Sequence, residues 1–335
     1  MTVLVTGSAG FIGFHLARKL LEQGETVIGY DGFTPYYDVQ LKRDRTAILQ
    51  AYEGFTLIEA QLEDADRLLS VVAESRPEVV VHLAAQAGVR YSIENPGAYI
   101  SSNLSGTFNL LEALRAHPPK HLLFASTSSI YGSNEEQPFR ETHRTDFPVS
   151  LYAATKRGCE SMSHSYAHLY GIPTTCFRFF TVYGPWGRPD MALFKFVRSI
   201  ERDEPIDVYG NGEMYRDFTY IDDLVEAILL LVDRAPVPGR PVSESDSLSP
   251  TAPWRAVNLA GGAPQSLGSF IETIENRLGR HALRNLMPMQ PGDVVATHAD
   301  PRLLRDLTGY APGTPLSEGV DAFVTWFEEY YSIER

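Results

Sequence analysis

Short, continuously apolar runs alternate with longer amphipathic stretches through the first half of the chain. The apolar runs predict strands that are buried on both faces, and the amphipathic stretches predict helices. The predicted strands are residues 2–6, 26–30, 56–59, 79–83, 121–125 and 174–179. The predicted helices are residues 11–23, 65–75, 96–116 and 151–170. Because strands and helices alternate, we expect a Rossmann-type, doubly wound parallel sheet of the α/β class.

The pattern changes after Gly184, where strands and helices no longer alternate regularly. The predicted elements are, in order, a loop at 185–189, a helix to about 202, a strand at 206–208, a helix at 222–233, a strand at 257–259, and helices at 267–278 and 316–331. The strand at 257–259 is expected to return to the main sheet. The Pro- and Ser-rich stretch 236–253 predicts a surface loop and indicates no function.

The overall composition predicts a globular protein with one large domain and a smaller lobe. The 335 residues are 44% hydrophobic and 21% charged, which is enough apolar material for a sizeable core. The formal net charge is -13 and no long basic run occurs, so nucleic acid is not an expected partner. The nine histidines lack metal-ligand spacing with cysteines or carboxylates, so we expect no metal.

Cysteine content and hydropathy bear on where the protein works. Cys159 and Cys176 are the two cysteines of the sequence, which excludes a disulfide framework and favours a reducing compartment. The chain starts with a strand-like run and no basic leader pattern, so a cytoplasmic location is expected. The longest aliphatic run, 227–232, is far too short to span a bilayer, so no membrane association is expected.

A glycine-rich turn lies between the first predicted strand and the first predicted helix. Its sequence is Gly7-Ser8-Ala9-Gly10-Phe11-Ile12-Gly13. Glycines at this spacing permit a tight turn and bring backbone N–H groups close to a pyrophosphate at the helix N-terminus. Asp31 ends the second strand, where a carboxylate accepts hydrogen bonds from an adenosine ribose and repels a 2′-phosphate. The sequence therefore predicts a dinucleotide site that prefers NAD to NADP.

A tyrosine and a lysine one helical turn apart form the candidate catalytic pair. Tyr152 and Lys156 lie in the predicted helix 151–170, on the same face. A free tyrosine titrates near ~10, and a neighbouring ammonium stabilises the phenolate, as a general base requires. The hydroxyl of Thr127 can extend the relay to a substrate alcohol. The set predicts removal of a proton from an alcohol while a hydride leaves its carbon.

The three-glycine spacing and the Tyr152/Lys156 pair resemble extended short-chain dehydrogenases/reductases. His82-Leu83-Ala84-Ala85 ends the fourth strand, and Asn103 lies in the following helix, as in that family. One departure is Gln61, which stands where the family usually has an aspartate that contacts the adenine amino group. The resemblance implies an NAD site formed by Gly7, Gly10, Phe11, Ile12, Gly13, Asp31, Gln61, Leu62, Leu83, Ala84, Ala85, Asn103, Tyr152, Lys156 and Phe179.

Longer motifs resemble UDP-glucuronate 4-epimerases over nearly the whole chain. These motifs cover residues 84–91, 150–156, 178–191, 216–223 and 287–294. Dehydratases and UDP-glucuronate decarboxylases of the extended family carry an acid next to the active-site threonine. Here Thr127 is followed by Ser128 and Ser129, which argues against both reactions. Neutral-sugar epimerases tend to carry an asparagine where Thr181 stands.

The resemblance implies a role for each substrate-site residue. Tyr152 acts as base and acid, Lys156 tunes it, and Thr127 hydrogen-bonds the sugar 4-hydroxyl. Ser128, Ser129 and Thr181 would hold the sugar carboxylate. The remaining residues expected to bind the nucleotide or sugar are Arg90, Arg188, Arg216, which pairs with the diphosphate, and Asp293, which accepts from the uridine ribose.

These observations lead to one hypothesis for the reaction, NAD-dependent 4-epimerisation of UDP-glucuronate to UDP-galacturonate. The alternatives are a UDP-glucose or other neutral UDP-sugar 4-epimerase, then a UDP-glucuronate decarboxylase, then a non-catalytic NAD-binding scaffold. The expected NAD-binding domain is residues 1–180 with returning segments at about 213–234 and 255–260, and the UDP-sugar lobe is 181–212 and 261–335. A homodimer through the helices at 96–116 and 151–170 is expected from the resemblance.

Overall fold

The computed structural model describes residues 1–289 and 293–333. Its strands are β1 (Thr2–Thr6), β2 (Thr26–Asp31), β3 (Phe55–Glu59), β4 (Val79–His82), β5 (His121–Thr127), β6 (Thr174–Phe179), β7 (Thr181–Tyr183), β8 (Ile206–Tyr209), β9 (Tyr215–Arg216), β10 (Phe218–Tyr220), β11 (Trp254–Leu259), β12 (Gln265–Ser266) and β13 (Arg284–Met287). Its α-helices are α1 (Phe11–Glu22), α2 (Val39–Gln50), α3 (Ala65–Ser75), α4 (Tyr91–Glu94), α5 (Pro96–Tyr99), α6 (Gly106–Ala116), α7 (Leu151–Tyr170), α8 (Ala192–Glu201), α9 (Ile221–Val232), α10 (Leu267–Leu278), α11 (Arg302–Thr308) and α12 (Leu316–Tyr330).

A seven-stranded parallel sheet lies at the centre, in the order β11-β6-β5-β4-β1-β2-β3. The order reverses next to β1, which is the switch point where dinucleotides bind in doubly wound sheets. The predicted α/β fold is therefore confirmed. The returning strand is confirmed as well, since β11 pairs with β6 and Leu259 lies opposite Phe179.

Two large apolar clusters stabilise the structure. One packs β1, β4 and β5 against α1 and α9, with Phe14 and Ile228 fully buried. The other surrounds α8, α10 and α12 in the C-terminal part, where Phe194 and Phe323 are buried. Three two-stranded sheets, β10-β7, β12-β9 and β13-β8, lie outside the main sheet. The division into an NAD-binding domain and a UDP-sugar lobe stays a prediction.

The predicted helix 96–116 is wrong as a single regular element. The structure has α5 and α6 with a wider π-helical turn, Ile100–Ser105, between them. Within this turn Asn103 is buried, and its amide accepts from the Gln86 N–H at 2.8 Å and donates to the Gln86 carbonyl at 3.0 Å. Single-turn π segments are frequent at functional sites. Here the Asn103 side chain fixes the segment that follows β4.

Helix α7 begins and ends at the residues that its sequence predicts. Ser150 caps the N-terminus by accepting from the Ala153 N–H at 3.1 Å, and Gly171 ends the helix with a φ of 68°. The cap places Tyr152 in the first turn and Lys156 one turn later. Among the described residues, no helix is both long enough and apolar enough to cross a bilayer.

Candidate active site

At two of its glycine positions, the glycine-rich turn is packed too closely for a side chain. Gly7 has a φ of 76°, and a Cβ placed there would lie 2.8 Å from the Ala84 nitrogen. A Cβ on Gly13 would lie 2.0 Å from the Gly7 carbonyl oxygen, so the first turn of α1 can rest directly on the loop. The first N–H groups of a helix have no intrahelical acceptors, and here they stand beside an open cavity. This arrangement fits the diphosphate of NAD.

Asp31 lies at the end of β2 and shapes the same loop. One carboxylate oxygen accepts from the Ala9 N–H at 3.0 Å, and the other accepts from the Phe33 N–H at 2.9 Å. The side chain is buried and lines the cavity, so each oxygen keeps a lone pair for a ligand. Asp31 therefore has the chemistry to accept ribose hydroxyls while it holds the glycine-rich turn in place.

The other end of the cavity holds the candidate catalytic residues. Thr127 ends β5, and Tyr152 and Lys156 reach the cavity from α7. Burial raises the pKa of Tyr152, while hydrogen bonding with Thr127 and the charge of Arg188 lower it, with a net increase. Burial lowers the pKa of Lys156, whose ammonium lies 4.7 Å from the centroid of the Phe124 ring. In the free protein, the protonated form of Tyr152 is therefore favoured.

One cavity of about 260 Å³ joins the glycine-rich turn to the catalytic pair. Most of the residues predicted from the sequence line it. They are Gly7, Gly10, Phe11, Ile12, Gly13, Asp31, Gln61, Leu62, Leu83, Ala84, Ala85, Thr127, Tyr152, Lys156, Phe179 and Arg188. Asn103 is an exception, because it lies behind the wall and donates to Thr155 Oγ1 at 3.2 Å. Its contacts are those of a residue that supports the wall, and its expected role in binding the cofactor stays a prediction.

The serines after Thr127 form a short turn beside the cavity. The Ser129 N–H donates to Thr127 Oγ1 at 3.2 Å, and the Thr127 hydroxyl donates to Ser129 Oγ at 3.2 Å. Ser128 and Ser129 do not line the main cavity. Thr181 lines a smaller apolar cavity that shares Arg188 with the main one. The structure thus brings Thr127 together with the catalytic pair, whereas Ser128, Ser129 and Thr181 lie outside the lining of the main cavity.

Three predicted substrate residues lie together outside the main cavity. Arg90 donates to Asp293 Oδ2 at 3.1 Å and lies 4.3 Å from the centroid of the Tyr209 ring. Arg216 donates to the carbonyl of Val295 at 3.3 Å, and burial lowers its pKa. These contacts connect the segment after β4 to the C-terminal part of the chain. Residues 290–292 of the last predicted motif lie outside the described residues.

Several cavity residues were missed because they belong to the segment after β2. Tyr36, Tyr37 and Lys42 line the cavity, and Lys42 donates to the Thr34 carbonyl at 2.8 Å. The Tyr36 hydroxyl donates to Asp190 Oδ2 at 3.1 Å. The paired tyrosines five and six residues after Asp31 are the signal from which this contribution to the site could have been found. The other missed lining residues include Gln86, Ser102, Ser126, Phe180, Val182 and Met191.

Arg188 is held in the cavity wall by a carboxylate. Its guanidinium donates to Asp190 at 3.0 Å and 2.6 Å. The Tyr36 hydroxyl also donates to this carboxylate. Asp190 therefore connects the segment after β2, which carries Tyr36, to the segment after β7, which carries Arg188. The positive charge of Arg188 therefore faces the cavity in a fixed position.

A buried ion pair lies directly behind the catalytic helix. Glu160 is one turn beyond Lys156, and its oxygens accept from Arg178 at 3.1 Å and 3.0 Å. Arg178 also donates to the Tyr131 hydroxyl at 3.1 Å and to the Glu141 carbonyl at 2.8 Å. Burial alone would raise the pKa of Glu160, but the charge and hydrogen bonds of Arg178 lower it overall. The pair fixes α7 against β6.

Comparison with known proteins gives one consistent result. Residues 3–242 match the model of the NAD dependent epimerase/dehydratase family. The chain is 56% identical over 334 residues to a probable UDP-glucuronate 4-epimerase of Rhizobium meliloti (strain 1021), covering 99% of this chain and 98% of that protein. It is 44% identical over 339 residues to UDP-glucuronate 4-epimerase 1 of Arabidopsis thaliana, covering 99% and 77%. A similar solved structure is that of UDP-glucuronic acid 4-epimerase from Bacillus cereus in complex with UDP-glucuronic acid and NAD. The two structures superpose with a TM-score of 0.86 at 31% sequence identity, and the match covers 99% of this chain and 100% of that one.

Proposed function

The chain belongs to the NAD-dependent epimerase/dehydratase family, and from that premise we infer that it converts UDP-glucuronate to UDP-galacturonate by 4-epimerisation through a transient 4-keto sugar. It is therefore an isomerase. The observation that carries this inference is the single cavity that joins the glycine-rich turn to Tyr152, Lys156 and Thr127. NAD, when bound there, supplies reversible acceptance of the C4 hydride.

The proton chemistry is assigned to Tyr152. In this proposal its phenolate accepts the proton of the sugar 4-hydroxyl, and the phenol returns a proton to the oxygen after the sugar has turned. Burial favours the neutral phenol in the free protein, so ionisation needs a nearby positive charge. Lys156 supplies one from the next turn of α7. Thr127 is proposed to hold the 4-hydroxyl against Tyr152, and its place beside Tyr152 in the lining of the same cavity supports this.

The carboxylate of the sugar makes a special demand on the site. Oxidation at C4 produces a β-keto acid, which loses CO2 when its C–COO⁻ bond aligns with the carbonyl π system. The site must hold the carboxylate away from that alignment. Ser128, Ser129 and Thr181 are proposed to do so with neutral hydroxyl donors. The run Thr127-Ser128-Ser129 contains no acid that would repel the carboxylate or protonate an enolate.

The nucleotide part of the substrate is assigned to the residues beyond the main cavity. Arg216 is proposed to pair with the diphosphate, and Asp293 is proposed to accept from the uridine ribose. Arg90 now donates to Asp293, so the substrate would compete with that contact. Arg188 lines both cavities, which supports a position along the sugar or diphosphate.

A homodimer is proposed through the faces of α6 and α7, together with the π-helical turn before α6. Large apolar side chains are exposed on these elements, including Ile100, Phe108 and Leu169, of which Leu169 is 66% exposed. Burial of such a surface against a second copy would remove it from water. We also propose a cytoplasmic location, which the two buried free cysteines support.

The decisive experiment is NMR of UDP-glucuronate incubated with the purified protein without added NAD. We expect inversion at C4, no loss of CO2, and turnover from NAD that stays bound. A product of unchanged C4 configuration that has lost CO2 would instead favour a decarboxylase. Parallel rates with UDP-glucose decide the neutral-sugar alternative, and absence of any reaction with both sugars would favour a binding protein.

A further inference from the structure

Arg45 is a buried cation. Within residues 1–289 and 293–333, no carboxylate forms an ion pair with it. It lies on α2 and has no measurable exposure to solvent. One guanidinium nitrogen donates to the Ala9 carbonyl at 3.0 Å and to the Tyr37 hydroxyl at 2.9 Å. The other donates to the carbonyl of Trp186 at 2.5 Å and to that of Gly187 at 3.3 Å. Burial of a charge is unfavourable unless hydrogen bonds compensate for the lost water, so the groups that Arg45 binds are the key to its role.

The first of these groups is the glycine-rich turn. The peptide groups that flank Ala9 are held at both ends, because Asp31 accepts from the Ala9 N–H and Arg45 donates to the Ala9 carbonyl. The Ala9 carbonyl is therefore engaged outside the cavity. The Gly10 N–H donates to the Gly7 carbonyl at 2.9 Å, and the next residues, Phe11 and Ile12, begin α1 beside the cavity. Arg45 itself does not line the cavity. Any effect of Arg45 on a ligand in the cavity is therefore indirect, through the backbone of the glycine-rich turn.

The second group is the loop that carries Arg188. Trp186 has a φ of 59°, a left-handed conformation that is strained for a residue with a Cβ. Its carbonyl receives the shortest hydrogen bond of Arg45. This strained turn directs the chain so that Arg188, two residues later, faces the cavity. One guanidinium thus fixes the glycine-rich turn and the loop of Arg188 at the same time.

We propose that Arg45 is a positioning residue for cofactor retention, which holds the glycine-rich turn and the Trp186–Arg188 loop together around bound NAD. The proposal rests on the proposed function, because an epimerase ends each cycle with its cofactor in the starting state and gains from never releasing it. Lysine at this position keeps the charge but cannot reach both loops, because it has one nitrogen where arginine has a fork.

The test compares the variants Arg45→Lys and Arg255→Lys. Arg255 is also a buried arginine, but it pairs with Asp246 at 3.0 Å and does not line the cavity. NAD content is measured on freshly purified protein, and the Kd for NAD is measured by calorimetry after the nucleotide has been removed on charcoal. We expect Arg45→Lys to weaken NAD binding about tenfold, which corresponds to the loss of one charged hydrogen bond. Arg255→Lys should bind NAD as the wild type does.

A merely structural role gives a different result. It would lower the melting temperature of the NAD-free Arg45→Lys protein and leave its Kd for NAD within twofold of the wild-type value, which overturns the proposal. If Arg45→Lys does not fold, Arg45→Gln takes its place, because glutamine also lacks the fork that reaches both loops, and an unchanged Kd for NAD in that variant is then the refuting result. No sugar is needed for these measurements, so they stand even if UDP-glucuronate is not turned over.

Discussion

Removal of the negative charge of Glu160 is expected to destabilise the protein strongly. Glu160→Gln keeps the size of the side chain but leaves Arg178 buried with no ionised partner. Both side chains are almost fully inaccessible to solvent, and the pair makes two hydrogen bonds of 3.0–3.1 Å. Breaking a buried pair from one side costs about 3–5 kcal/mol, mostly because the remaining charge is not compensated.

This cost can be converted into a shift of the melting temperature. An unfolding entropy of about 2.1 cal/mol/K per residue gives about 0.7 kcal/mol/K for a chain of this length. The loss of 3–5 kcal/mol then lowers the melting temperature by roughly 4–7 °C. Since the pKa of Glu160 is lowered in the folded state, its contribution is present above the unfolded pKa and is lost as pH falls. The difference between wild type and variant should therefore shrink below about pH 4.5.

Differential scanning calorimetry at pH 7 measures this shift directly. Glu78→Gln is the matched control, because the Glu78–Lys120 pair is exposed, and exposed pairs contribute little to stability. Its melting temperature should equal that of the wild type within error. If Glu160→Gln also melts within about 1 °C of the wild type, the assumption that the Glu160–Arg178 pair is energetically coupled is wrong.

Two further predictions concern buried ionisable groups. Tyr152→Phe should abolish inversion at C4 while the NAD content of the purified protein is unchanged. NMR of the product and quantification of bound NAD check both expectations. Near-normal turnover of this variant would show that Tyr152 does not carry the proton. Burial raises the pKa of Glu141 to about 7, so its folded-state pKa exceeds the unfolded value and stability is lost as pH rises from about 4.5 to 7. Glu141→Gln should therefore melt at a higher temperature than the wild type at pH 8 and gain no advantage at pH 4, as pH-resolved thermal unfolding would reveal.

Strands and helices with a regular pattern of apolar residues could be predicted from the sequence. β1, β4 and β5 contain continuous apolar runs, and the predicted positions of these strands and of β6 agree with the structure to within two residues. Helix α2 was not predicted, because its buried face includes Lys42 and Arg45. A pattern of apolar residues cannot reveal a helix whose inward side chains are charged. The interrupted helix around Asn103 was missed for a related reason, since its buried polar side chain bonds to Gln86, a contact outside the helix.

The candidate site shows the same limit. The glycine-rich turn and the Tyr152/Lys156 pair could be predicted because each is local in the sequence. The contact of Arg45 with Trp186 joins residues that are 141 positions apart, and that of Arg90 with Asp293 joins residues 203 apart. Such contacts depend on how the folded segments pack, which the local pattern does not contain. The roles of the individual site residues stay predictions.

The position of β11 at the edge of the main sheet has a consequence for synthesis on the ribosome. β6 is complete long before β11 emerges, because the elements from β7 to α9 are translated between them. Until then the buried strand β6 offers an unpaired edge to other nascent chains, which is a known route to aggregation. A gene shortened after residue 180 would make this exposure permanent. We therefore expect the first half of the chain to be insoluble when it is expressed alone.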